Sequence, residues 1–146
     1  MPKLFYLLYA ILRILFQIFQ LCFIFLSESY DYILVQNPPC VPLLFVLALL
    51  KTLRLNRSTL IIDWHNYGYS IMRVNRVSKP LVFIAKLYEM YFGRFGDAHL
   101  CVSRAMQIDI INKMRLNSKN APLVLYDKAT TKFSDPVNLD ERHALF

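Results

Sequence analysis

Glycine is scarce in this chain, with three residues in 146. A fold that turns repeatedly through left-handed backbone is therefore not expected, since glycine is the residue that enters φ > 0 without a steric penalty. Cysteine is equally sparse. Cys22, Cys40 and Cys101 lie far apart in apolar surroundings, with no CxxC pair and no metal-ligand spacing. They read as small buried hydrophobes in a reducing compartment. His65, His99 and His143 form no HExxH arrangement, and no metal site can be argued. The absence of GxGxxG leaves dinucleotide binding without support. Acidic residues are in deficit, ten against seventeen Lys and Arg, for a net charge of +7. The cations are scattered or sit at the ends of predicted helices, and no basic stripe is interleaved with stacking aromatics. Nucleic acid is not an expected partner.

Apolar residues, by contrast, are abundant: 56% of the chain is hydrophobic and 14% aromatic, above the usual range for a soluble domain. Positive charge with this much apolar surface favours an anionic membrane surface as a partner. Leu4–Leu26 is one long apolar run of about the length of a membrane span. Its polar members, Lys3, Tyr6, Arg13, Gln17 and Gln20, fall along one stripe of a helix, with Tyr9 close by. A lipid-embedded span gains nothing from that stripe, and Arg13 near its middle costs about 2.5–3.5 kcal/mol on insertion scales. Residues 1–28 are therefore expected to form a hydrophobic amphipathic helix, packed on the protein or lying along a bilayer, with spanning as the alternative. No small-residue cleavage site follows, so a secretory signal fits less well.

Residues 29–146 alternate between short apolar runs and helical patterns. Tyr32–Val35, Leu60–Ile62, His99–Val102 and Leu123–Leu125 are predicted strands. The prolines at 38, 39 and 42 and the cations Lys51, Arg54 and Arg57 bracket a helix with the expected polarity. A loop is expected from Asp63 to about Val77. Over Lys79–Phe95, Leu81, Ile84, Leu87, Tyr88, Tyr91 and Phe92 make one helical face, closed by Gly93 and Gly96 as C-cap candidates. Ser103 is the predicted N-cap of a helix over Arg104–Leu116, and another helix opens at Leu139. Continuous apolar strands separated by helices imply an α/β fold: a parallel sheet buried on both faces, doubly wound and Rossmann-like.

In such sheets ligands bind beyond the carboxyl ends of the strands. Each predicted strand ends in polar groups: Gln36-Asn37, Asp63 to Tyr67, Ser103-Arg104 and Tyr126-Asp127-Lys128. The second of these is the densest. Asp63 and His65 suit acid–base work, or one can partner the other. Asn66 hydrogen-bonds both ways; Trp64, Tyr67 and Tyr69 offer flat faces of the kind that hold sugars or bases; Gly68 supplies a permissive backbone. Each also has a plainer explanation, Asp63 as a cap, the aromatics as core or rim packing, His65 as a structural histidine. Eight consecutive residues of this kind are hard to explain by packing alone. Asp127-Lys128 is either a solvated turn or a contact to phosphate or a sugar hydroxyl. Backbone N–H groups at the Asn37-Pro38-Pro39 turn can face an anion, although each proline removes a donor.

Val35–Pro39, Leu60–Ser70, the run from Tyr88-Glu89 to Arg94, Leu100–Val102 with Ala105-Met106, and Tyr126-Asp127-Lys128 resemble, in order and spacing, the chitobiosyldiphosphodolichol β-mannosyltransferases. The resemblance implies the incomplete N-terminal domain of a GT-B glycosyltransferase on the cytosolic face of the endoplasmic reticulum membrane. It also implies transfer of mannose from GDP-mannose to dolichyl-diphosphate chitobiose with inversion, forming a β-1,4 bond in N-glycan precursor assembly. Other glycosyltransferases of that pathway are possible partners, and no cofactor beyond the co-substrate is implied. GDP-mannose would be held by a missing C-terminal domain, so the isolated chain is expected to be inactive. By the resemblance Asp63, His65 and Asn66 border the acceptor, with Asp127 and Lys128 near the cleft. Ala129 stands where the family usually has proline. Inversion needs one base on the acceptor hydroxyl, and either Asp63 or His65 suits the task. The competing reading is a non-catalytic, membrane-associated module that binds a glycolipid or a partner subunit.

Overall fold

The computed structural model describes residues 3–127. Lys128, Ala129 and the helix expected from Leu139 lie outside the described residues. The elements run α1 (Lys3–Ser27), β1 (Tyr32–Asn37), α2 (Leu43–Thr52), β2 (Thr59–Trp64), α3 (Gly68–Val74) and α4 (Lys79–Phe92). They continue through a 3-10 turn (Gly93–Phe95), β3 (Ala98–Cys101), α5 (Arg104–Met114), a second 3-10 turn (Ser118–Asn120) and β4 (Leu123–Val124). The strands form one parallel sheet in the order β1-β2-β3-β4. The expected Rossmann-like arrangement, a parallel sheet flanked by helices, is present.

Its winding differs from the doubly wound expectation. When spatial order follows chain order, crossovers of one hand keep successive helices on the same face of the sheet. Accordingly α2 packs on α4, and α4 on α5. Burial alternates along β1: Ile33, Val35 and Asn37 are buried while Tyr32, Leu34 and Gln36 are exposed. In β2, Leu60, Ile62 and Trp64 are buried and Ile61 and Asp63 half-buried. Among the described residues the sheet is thus covered on one face and open on the other. An apolar run such as Tyr32–Val35 does not reveal this, because its outward Leu34 is as apolar as its inward neighbours. The covered face joins Ile33, Val35, Ile62 and Trp64 to Leu44 and Leu47 of α2, Met90 of α4, and Ile110 and Met114 of α5. Each such buried aliphatic contributes about 1.5–3 kcal/mol.

Among the described residues three helices are followed, at the C-cap or one residue beyond it, by an arginine in the left-handed region: Arg54, Arg76 and Arg115, with φ of 57°, 56° and 55°. In each case the next residue's N–H reaches back five residues, as in Leu55 N to Leu50 O at 2.9 Å. Left-handed backbone costs a side-chain-bearing residue about 1–2 kcal/mol. A cation beside the negative helix end offsets part of that. The glycines serve another purpose. Gly93 does follow α4 as its C-cap, but with φ −59°. A Cβ there would stand 2.9 Å from both the Trp64 ring and Met114 Cε, and one on Gly96 would stand 2.7 Å from His99 Cε1. Close approach, not positive φ, requires glycine at both.

Ser103 caps α5 as expected, accepting from Met106 N at 3.2 Å. Of the face expected on α4, Tyr88 and Phe92 are half-buried and pack against the core, but the rest of it points outward. Leu81, Ile84, Leu87 and Tyr91 are exposed, whereas Glu89 and Met90 are buried. The helix is apolar on several sides, and it meets α3 through a different arc from the one that periodicity selected. The segment expected to be a loop to Val77 contains α3. The first helix touches the rest of the protein through α2. A stripe through Gln17, Ile18, Leu21, Cys22 and Phe25 is half-buried, and most of the remaining surface is open. Of the expected polar stripe, Arg13 and Gln20 face water. Leu8–Ser27 is long and apolar enough to cross a membrane, by length and composition.

Candidate active site

Register aligns Asn37, Trp64, Cys101 and Val124 across the carboxyl edge of the sheet. At that edge the segment Asp63–Ser70 is anchored from four directions. From β1, the Asn37 carbonyl accepts from His65 N at 3.1 Å and Asn66 N at 3.4 Å. The Asn37 side-chain amide donates to Asn66 O at 3.2 Å. From β3, His99 Nδ1 accepts from Trp64 Nε1 at 3.2 Å. From α4, the Glu89 carboxylate accepts from Gly68 N at 3.2 Å and Tyr69 N at 3.0 Å, holding the start of α3. From α5, Asp109 accepts from the Tyr67 hydroxyl at 2.8 Å, and Lys113 donates to Tyr69 Oη at 2.9 Å. Lys113 also donates to Asp109 at 2.6 Å and sits 4.7 Å from the Tyr67 ring centre, and the two tyrosine rings stack at 5.2 Å.

These anchors divide the candidate residues. Trp64 and Asn37 are fully buried. The Trp64 ring lies in the core against His99 and offers no face to a ligand, which corrects the expectation for it. Asn37 shapes the turn from within. Tyr67 and Tyr69, expected to present flat faces, are half-buried and held by α5. Burial, then the Asp109 carboxylate, push the Tyr67 phenol well above its ordinary range, so it stays a hydrogen-bond donor. A Cβ on Gly68 would stand 2.5 Å from Glu89 Oε1, so the carboxylate that holds this turn would have to move.

Asn66 and Asp127 are exposed, and Asp63 and His65, half-buried, are not engaged from behind as the tyrosines are. Strand alternation turns Asp63 to the side of the sheet opposite Trp64. His65 Nδ1 lies 3.2 Å from Asp63 Oδ2, and Nε2 lies 4.0 Å from Asp127 Oδ1. The first contact is off the line of a hydrogen bond, and Nδ1 has no such partner; its attraction is electrostatic. An imidazole between two carboxylates can accept a proton and have the resulting cation stabilised on either side. Among the described residues no group of three or more such side chains is placed to hold a metal ion. Burial pushes the Cys40 thiol up to about 12, which leaves it unreactive. A concavity of about 940 Å3 opens at the opposite, amino edge of the sheet, between residues 25–32 and 54–59. It shares no residue with this constellation.

Glu89 is the residue that sequence reasoning passed over. Its carboxyl is buried and its pKa raised, by desolvation first, against the lowering effect of the N–H groups of Tyr69 and Gly68 and the Asn37 amide. A lone acid inside an apolar helical stretch, Tyr88-Glu89-Met90, was the signal available.

No family model matches the chain, and no solved structure matches it. Curated relatives do. A chitobiosyldiphosphodolichol β-mannosyltransferase of Kluyveromyces lactis is 40% identical over 130 residues, 86% of this chain and 28% of the relative. The protein of that name from Homo sapiens is 41% identical over 120 residues, 82% of this chain and 24% of the relative. That from Candida albicans is 33% identical over 147 residues, 97% of this chain and 32% of the relative. The resemblance read from the motifs thus extends over most of the chain, which spans about a quarter to a third of the length of these chitobiosyldiphosphodolichol β-mannosyltransferases.

Proposed function

We propose that this chain supplies the acceptor side of a β-mannosyltransferase that acts on dolichyl-diphosphate-linked chitobiose. GDP-mannose would be the donor, bound by residues beyond this chain in a GT-B arrangement. The observation that carries the reading is His65 between Asp63 and Asp127 at the carboxyl edge of the parallel sheet, within a segment that matches relatives of that name. Asp63 beside Nδ1 favours the tautomer that leaves Nε2 free. Nε2 then takes the proton of the acceptor hydroxyl as its oxygen attacks the anomeric carbon. The bond from that carbon to the phosphate oxygen breaks on the opposite face, and GDP leaves with the electron pair. Asp63 and Asp127 stabilise the imidazolium. Asn66, exposed beside them, is suited to orient a sugar hydroxyl or acetamido group. Endoplasmic reticulum membrane, cytosolic face, is the location that such a substrate requires, and the exposed α1 is suited to hold the site at a bilayer.

The test is a replacement. This chain is exchanged for the matching segment of the Kluyveromyces lactis relative, and transfer of labelled mannose from GDP-mannose to dolichyl-diphosphate chitobiose is measured. Formation of the β-linked trisaccharide lipid supports the reading. A folded hybrid that binds the glycolipid but transfers nothing, beside an active parent, would instead favour the non-catalytic module.

A further inference from the structure

A second feature lies outside the proposed catalytic constellation, on the face built by α3 and α4. Between these helices runs a groove of about 540 Å3 whose walls carry Arg73, Arg76, Lys79 and Lys86, with Tyr69 and Phe83 among its lining. Among the described residues none of the four cations pairs with a carboxylate. Lys86 feels Asp109 at longer range. From Gly68 to Gly96 the sole acid is Glu89, which is 3% exposed and occupied by backbone N–H groups. The field over the groove is therefore positive.

Beside the groove stand apolar side chains that no described residue covers. Phe83 is 60% exposed and Val74 80% exposed, and Leu81, Ile84 and Leu87 continue the ridge along α4. Scattered surface leucines need no explanation, but a contiguous apolar ridge next to a cluster of cations does. A partner recognised through the apolar ridge alone would leave the four cations unmet. An interface of anionic headgroups over acyl chains offers both chemistries at the right relation to each other.

We infer that the α3–α4 face is a membrane-contact site, whose groove receives the phosphates of anionic phospholipids while Phe83 and its neighbours enter the interface. This contact is independent of the catalytic reading and distinct from α1.

A tryptophan at Phe83 tests it, because Trp64 is the chain's one native tryptophan and is fully buried. The full chain carrying Phe83→Trp is reconstituted in nanodiscs of brominated phosphatidylcholine, with or without phosphatidylserine. Both discs hold α1 alike, so differences report the new site. Fluorescence beyond the Trp64 background is expected to be quenched on the phosphatidylserine discs, and the quenching reversed by high salt. Adding Arg73→Ser, Lys79→Ser and Lys86→Ser is expected to weaken the contact about fivefold per cation removed. Arg76 is left in place because its backbone is left-handed. The Lys79→Ser/Lys86→Ser pair, both exposed, serves if the triple variant misfolds. Equal quenching on neutral and anionic discs, or none on either, overturns the inference. Quenching that appears only on neutral discs doped with a polyprenyl diphosphate also overturns it, and assigns the groove to an acceptor lipid.

Discussion

Acidification is expected to destabilise this protein through His99, which is 2% exposed behind the candidate site. Its Nδ1 accepts the Trp64 indole N–H, so the ring is neutral with its proton on Nε2. Burial lowers its pKa from 6.5 to about 4, against a smaller upward pull from Asp97. Between those two pH values the unfolded chain binds a proton that the native protein does not. The contribution of neutral His99 is therefore complete above pH 6.5 and is lost as the pH falls towards 4. At about 1.4 kcal/mol per pH unit the window amounts to about 3 kcal/mol. Glu89 acts in the opposite sense. Its raised folded pKa means that the fold gains from protonating it, and that gain is lost as pH rises through the folded value. A comparison with His99→Gln, which keeps a neutral acceptor, cancels the Glu89 contribution. Urea unfolding followed by Trp64 fluorescence from pH 7 to pH 4 should show the stability gap between the two proteins closing by about 3 kcal/mol. A gap that stays constant across that range would refute the reasoning.

Replacing Glu89 with Ala leaves the N–H groups of Gly68 and Tyr69 without their acceptor, at about 1–3 kcal/mol each when buried; urea unfolding should show a loss of about 2–4 kcal/mol. Hydrogen exchange should also show faster exchange over residues 66–72. A double-mutant cycle of Tyr67→Phe with Asp109→Asn should give a coupling of about 1–2 kcal/mol in chemical denaturation, as the hydroxyl donates to a charged acceptor. A coupling near zero would detach the tyrosine from α5. Gly93→Ala drives a Cβ to 2.9 Å from the Trp64 ring, which cannot bend away. Thermal unfolding should register about 1–3 kcal/mol of destabilisation, and no change would mean that α4 shifts freely.

The parallel α/β architecture was legible because strand-length apolar runs alternate with helix-length patterns. Strand ends were less so. The β2 reading stops at Ile62, yet Asp63 and Trp64 continue the strand, since a polar residue can occupy the open face and an indole the covered one. The short helix α3 was invisible for a different reason. It buries no side chain, and its start is held by Glu89, twenty-one residues away. Local pattern cannot report a non-local cap. At the site, the sequence identified the right segment but not its division of labour. Trp64, Tyr67 and Tyr69 share a composition with sugar-binding loops, and it takes His99 on β3 and Asp109 with Lys113 on α5 to show that they are engaged from behind. What remains outward is Asp63, His65, Asn66 and Asp127, a constellation that needs the parallel register to assemble.

We propose His65 as the base of the mannosyl transfer. Its most direct test is steady-state kinetics of the hybrid enzyme that carries this chain, with His65→Ala against the unsubstituted protein and dolichyl-diphosphate chitobiose as the varied substrate. In the substituted enzyme kcat is expected to fall by about 10²–10⁴-fold with KM little changed. A kcat within twofold of the parent would contradict it.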